Sequence, residues 1–313
     1  MSKGPLIALG AGLLGALLFL SVRTGSPVAV LFAFLSPAPL FAVGLSQGLP
    51  GALIASAVAV VAVAVAAWGS TIVTFFLCVV GPVLIIVRQG LLSRPGAQAG
   101  APEWYPPGLL LSWLTGYGLV VLVAAIVWHL GQEGGLEGAI RANLDAAFGH
   151  LSGQAIDPRI RGLLDVLPRY LPGTIIVMWL LTSCTSAVLA QAGLVRAGHA
   201  RRPTPRYAVL DLPRWTGFAL VLAILLTLLP GPAGTLGRNG LVVLSLPFFL
   251  LGLATIHTLS LRLAGRGLFL GLVYVLVTLL VWPALFVVIL GIIEQWLLLR
   301  RRFAPPGTGR EDV

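Results

Sequence analysis

The stretch "GLFLGLVYVLVTLLVWPALFVVILGIIEQWLLL", residues 267–299, decides how this chain meets a membrane. Its 33 residues hold one carboxylate, Glu294, and no basic side chain. A straight helix of that length would reach about 50 Å at 1.5 Å per residue, whereas a hydrocarbon core is about 30 Å thick. The stretch is therefore either one projecting, steeply tilted helix or two short helices that turn near Trp282 and Pro283.

Arginine placement chooses between them. Eight further apolar stretches precede this one, at about 5–22, 26–45, 50–68, 70–88, 108–130, 170–195, 215–230 and 240–261. With the last stretch a hairpin and the N-terminus cytoplasmic, 14 of the 20 basic residues fall on the cytoplasmic side. With one helix and the cluster Arg300, Arg301 and Arg302 cytoplasmic, the count is 10 of 20. The positive-inside bias favours the hairpin. The expectation is an all-α, polytopic membrane protein of 8–10 transmembrane helices, ten preferred, with both termini cytoplasmic.

Composition agrees. Apolar residues make up 58% of the chain and charged residues 10%, with a mean hydropathy of +1.00, whereas globular chains carry about 25% charged residues. No stretch is polar enough for a separate soluble domain, so residues 1–303 are read as one transmembrane domain and 304–313 as a disordered cytoplasmic tail. The run from Pro5 to Val22 exceeds the core of a signal peptide and reads as the first span. Abundant Gly, Ala and Arg suggest a bacterial inner membrane, with the lipid bilayer as the first partner.

Two connections have a design of their own. Residues 134–169 place Leu136, Ile140, Leu144, Phe148 and Leu151 on one helical face, and Asp157 with Pro158 opens a second helix as N-cap and first residue. This amphipathic external connection lies on the outer leaflet, lids the bundle, or packs as a simple loop. The loop 196–214 carries Arg196, Arg201, Arg202, Arg206 and Arg214. Such a loop gains about 1 kcal/mol per basic residue beside anionic headgroups, and docking an acidic partner is the alternative. Basic residues are spread between apolar segments, which argues for topology and against nucleic acid.

Inside the spans, "GAGLLG" (Gly10, Gly12, Gly15) and the alanine-rich third span (Ala52, Ala55, Ala59) predict close helix packing. Pro37 and Pro39 interrupt the second span. Irregular backbone at membrane depth needs protein or a watery cavity to satisfy it, and transporters use such breaks to bind substrates. Ser36, Pro37, Pro39, Ser46 and Gln47 are the candidate ligand-binding group; a kink that serves packing alone is the rival reading, and Gly81-Pro82 poses the same choice.

No P-loop, GxSxG, HExxH or dinucleotide pattern occurs. His129, His150, His199 and His257 stand apart from each other and from Cys78 and Cys184, so no metal site, no cofactor and no enzymatic activity is expected. His257 and Glu294 both fall about 8–9 Å below the cytoplasmic charge belt at 1.5 Å per residue. They either pair across helices for proton or ligand coupling, or Glu294 is an anchor met by Arg301, seven residues on. Trp296 with Arg300, Arg301 and Arg302 forms the C-terminal anchor at headgroup level.

"LPFFLLGLATIH", "GIIEQWLLLRRRF" and "PAPLFAVGLSQG" together resemble the YybS-like family of bacterial multi-pass membrane proteins, although Asp is expected there at the position of Glu294. That family has no assigned function and is distantly similar to the substrate-binding membrane components of energy-coupling factor transporters and to MreD-like rod-shape proteins. The resemblance implies either a small-solute transport component that lacks its own ATPase and needs a partner ATPase module, or a structural and assembly protein that binds cell-envelope proteins. The oligomeric state is left open.

Overall fold

Three helices account for the chain as far as Gln47. The glycine-rich α1 (Lys3–Leu20) ends in a 3₁₀ turn at Ser21–Thr24, and α2 (Pro27–Phe34) is separated from α3 (Pro37–Gln47) by two residues. The computed structural model describes residues 3–96, 102–151, 158–205 and 210–303; Asp157, Arg206 and the tail at 304–313 lie outside them. Next come α4 (Leu49–Ala66), α5 (Ser70–Phe75), a π-helical turn at Phe76–Val80 and α6 (Gly81–Gly90). A two-stranded antiparallel ribbon, β1 (Ser93–Pro95) with β2 (Pro102–Trp104), leads into α7 (Pro107–Trp128). Then follow α8 (Gly135–Leu151), α9 (Pro158–Arg196), α10 (Arg214–Thr227) and α11 (Gly231–Leu259). The chain closes with α12 (Arg266–Leu279), α13 (Val281–Leu297) and α14 (Leu299–Phe303).

The all-α, polytopic expectation holds. Among the described residues seven helices are long and apolar enough to cross a membrane, and α12 with α13 makes an eighth if that bent pair is one span. The stretch 267–299 is thus two helices, turned by 118°. At 14 and 17 residues they would reach about 21 and 25 Å. Length alone therefore does not add the pair as two full spans, nor does it add the 14-residue α10, which is where the preference for ten exceeds the seven or eight that length supports. The external connection also differs in detail. Its first helix is α8, with Leu136 buried, but the helix opened by Pro158 does not stop before the next span. It runs through Pro168 and Pro172 as the 39-residue α9.

The chain forms two compact units, Met1–Leu114 with Met178–Pro205 (unit 1) and Thr115–Val177 with Arg206–Val313 (unit 2). In unit 1, Ala8 and Ala16 of α1, Leu40 and Phe41 of α3, and Ala52, Ala55 and Ala59 of α4 are buried in one apolar core. Small residues permit this because lipid supplies no hydrophobic drive between helices, leaving contact distance to decide association. A Cβ on Gly12 would lie 2.4 Å from the Ala55 carbonyl oxygen, and one on Gly15 the same distance from Leu40 Cδ1. Gly10 faces open space. Two of the three glycines in "GAGLLG" therefore do the packing.

Unit 2 is built around α11. A Cβ on Gly252 would lie 2.0 Å from the Val287 carbonyl oxygen, and one on Gly291 would lie 1.9 Å from that of Phe248. The two glycines let α11 and α13 cross backbone to backbone. On the same helix Asn239, fully buried, donates to the Arg169 carbonyl at 3.0 Å and accepts from the Gly173 amide at 2.8 Å. Those are the two groups that one turn of α9 would otherwise join to each other, so the side-chain amide bridges a turn beside Pro172.

Candidate functional site

The proline break in the second span lies wholly in unit 1. Pro37 and Pro39 lack amide hydrogens, so carbonyls four residues earlier lose their helical partners. The turn tightens in response: Ser36 donates to Ala33 O at 3.1 Å and Ala38 to Leu35 O at 3.0 Å. Ser186 of α9 reaches Phe34 O at 3.4 Å. Ser36 is fully buried with its hydroxyl unpartnered among the described residues, and Leu40 and Phe41 beside it are fully buried. A Cβ on Gly44 would lie 2.5 Å from Val87, so the next turn is equally close-packed. Of the other candidate ligand residues, Pro37 is buried, while Pro39, Ser46 and Gln47 are half-buried. Ser46 directs its hydroxyl back to Ala42 O at 2.7 Å. The five candidates span about three turns of helix, and Leu40, Phe41 and the Gly44–Val87 contact fill the space in the first part of that stretch.

Gly81-Pro82 resolves in the same way. Pro82 leaves the Cys78 carbonyl without its helical donor, the helix loosens into the π turn at Phe76–Val80, and Trp179 Nε1 donates to Cys78 O. The proline marks a place where another helix supplies a hydrogen bond.

The Arg loop behaves differently from a solvated basic strip. Arg201 Nε donates to Ser46 O at 2.7 Å, in the last turn of α3. Arg202 is buried; its Nη1 donates to Gly90 O, the last residue of α6, at 2.6 Å, and its guanidinium stacks 5.6 Å from the Trp104 ring. Gln191 holds the loop by donating to Arg202 O at 2.7 Å. Burial lowers the Arg202 pKa from the usual arginine value. Both arginines thus sit on helix C-termini, where unpaired carbonyls and the negative end of the helix dipole favour a cation. Arg196 and Arg214 are exposed, and Arg206 lies outside the described residues. Sequence reasoning missed these caps, because a backbone acceptor leaves no mark in the sequence.

At the C-terminus, Glu294 and Arg300 form a buried ion pair, Nε to Oε1, at 2.8 Å, with side-chain exposures of 2% and 7%. The Arg300 amide also donates to the carboxylate, at 3.2 Å. Arg300 Nη2 reaches the Leu210 carbonyl at 2.8 Å and Asp211 at 2.9 Å, and Arg301 pairs with the other Asp211 oxygen at 3.1 Å. Gln295 donates to Pro213 O at 3.2 Å. This latch ties the end of α13 to the chain entering α10.

His257 is elsewhere: its Nε2 shares a 2.8 Å hydrogen bond with Tyr274 Oη of α12. The His257–Glu294 pair is therefore not formed, and each residue has another partner. The anchor reading needed the neighbouring arginine. Leu298 adopts a left-handed conformation (φ 51°), so the helix does not continue and the seven-residue spacing that pointed to Arg301 loses its meaning. Trp296 is largely exposed, as a headgroup anchor requires, and Arg302 is exposed.

These breaks and latches belong to a chain that matches the DUF2232 family, described as "Predicted membrane protein", over residues 13–294. The chain belongs to that family. DUF2232 membership bears out the sequence resemblance at its coarser level, a family of membrane proteins without an assigned function; likeness to energy-coupling factor components or MreD is not part of the match. No curated protein and no solved structure matches this DUF2232 chain.

Proposed function

We propose that this DUF2232 protein is a structural and assembly component of a bacterial inner membrane, binding cell-envelope proteins rather than moving a solute. The observation that carries this reading is the filled break at Ser36–Gln47. A substrate site at a broken helix needs unoccupied volume where the backbone is freed. Here Leu40, Phe41 and the Gly44–Val87 contact occupy that place, and the freed carbonyls are met by the chain itself. The helix α12 supplies a surface for partners: it is apolar, 14 residues long and buries none of them in its own chain.

The test is recovery of the tagged protein from native membranes in mild detergent, with photocrosslinking residues at Leu272 and Val275 of α12. Cell-wall or morphogenesis proteins crosslinked at those positions are the expected result. A stoichiometric ATPase pair with a retained small solute would overturn it in favour of a transport component that borrows its ATPase.

A further inference from the structure

Spans one and three of unit 1 end where span four begins, and between them lies a cavity of about 300 Å³. Its walls come from Phe19 at the end of α1 and Arg23 in the turn after it, Trp68 after α4, and Ser70, Thr71 and Thr74 of α5. We propose that this cavity binds the phosphate of an anionic lipid headgroup.

Three observations converge on that chemistry. Arg23 is held in place: its Nη1 donates to Ala66 O, the last carbonyl of α4, at 2.7 Å, which leaves the remaining guanidinium donors for a ligand. Unit 1 contains a single carboxylate, Glu103, and Arg94 takes it, so no acid of this unit competes for Arg23. Ser70, Thr71 and Thr74 line the cavity, the first and last exposed and Thr71 half-buried, and spacings of three and four place Thr74 on the face of the other two. A cation plus several hydroxyls suits a phosphate oxygen, which accepts charge-assisted hydrogen bonds.

Location supplies the lipid. The cavity sits at the ends of apolar helices, beside the widely exposed Trp68, where aromatic residues mark the headgroup level. Its volume lies at the lower limit of small-molecule sites, about 300–1,000 Å³, enough for a headgroup but not for acyl chains. Val22 in its wall is exposed, as are Val65, Val73 and Phe76 on the helices that supply the rest of the lining or adjoin it, so a lipid's tails would lie on apolar surface. A free phosphate shares the headgroup chemistry but gains nothing from that surface.

The test titrates the detergent-solubilised full chain with phosphatidylglycerol, with phosphatidylcholine of identical tails, or with inorganic phosphate, counting bound molecules by native mass spectrometry. Phosphatidylglycerol is expected to bind tightest. Arg23→Gln should weaken it roughly tenfold, the effect of losing one charge-assisted hydrogen bond, and weaken phosphatidylcholine less, since its choline cation already offsets the phosphate charge. Thr74→Val keeps the Arg23 contact with Ala66, so a weaker phosphatidylglycerol signal at an unchanged unfolding temperature separates binding from folding. Displacement by millimolar inorganic phosphate would overturn the lipid as the source of the phosphate. Equal binding of the two lipids to wild type, or equal selectivity in both variants, would overturn the site.

Discussion

In unit 1 three arginines, Arg23, Arg201 and Arg202, end on the last carbonyls of α4, α3 and α6, whereas in unit 2 four arginines, Arg141, Arg238, Arg300 and Arg301, end on carboxylates. The difference follows from supply. Unit 1 has seven basic residues and one acidic residue; unit 2 has thirteen and nine. Where carboxylates are absent, helix C-termini are the strongest anionic character available, at roughly half an elementary charge each. Such caps fix a cation without cancelling it. Unit 1 therefore keeps positive charge at its helix ends, and unit 2 spends much of its own on internal pairs.

The comparison breaks most visibly at Glu294. Removing one member of a buried ion pair costs about 3–5 kcal/mol because the other charge stays in a poor environment. Glu294→Gln should fall at the low end of that range, since Asp211 and the Leu210 carbonyl remain with Arg300. Replacing Glu294 and Arg300 together by leucine should recover much of the loss, because neither charge is then stranded. Chemical unfolding in detergent reads both. A loss below about 1 kcal/mol for the single variant would show that the pair is not desolvated as unit 2's geometry requires.

A smaller effect is expected from Arg202→Gln in unit 1. The variant gives up a charged hydrogen bond to Gly90 O and the stacking on Trp104, about 2 kcal/mol together. Since no carboxylate is stranded, no second substitution should rescue it, in contrast to Glu294. If a nearby change did restore stability, the carbonyl cap would not be what holds Arg202.

How much of this could be read beforehand depends on the kind of interaction. Pro37, Pro39 and Pro82 were legible as places where a backbone acceptor loses its donor, because proline chemistry is local. What fills each gap was not: Ser186 and Trp179 come from a distant helix, and nothing near the prolines points to them; nor did anything mark Asn239, which bridges Arg169 and Gly173 beside Pro172. Glu294 was legible as a residue near the end of its helix, but its partner was assigned by counting along a helix that Leu298 ends. Gly252 and Gly291 passed unremarked for a related reason. Each looks ordinary in its own segment, and only their pairing across α11 and α13 gives them meaning.

The smallest effect is expected where unit 1 imitates unit 2. Arg94 and Glu103 pair at 2.8 Å across the ribbon of β1 and β2, with Glu103 half-exposed. The hydrogen bond from Arg94, and then its charge, hold the Glu103 pKa below the ordinary 4.5. A carboxylate with a depressed folded-state pKa adds stability that is complete above its unfolded value and fades as pH falls through the lowered one. The ribbon should therefore loosen only below about pH 4.5, and solvent screening keeps the effect slight. Hydrogen exchange at the Tyr105 amide, which donates to Leu92 O at 3.0 Å, is the local probe. Protection corrected for intrinsic rates should fall modestly on acidification in wild type and stay flat in Glu103→Gln. An equal fall in both would mean that the ribbon, like the rest of unit 1, is held without its carboxylate.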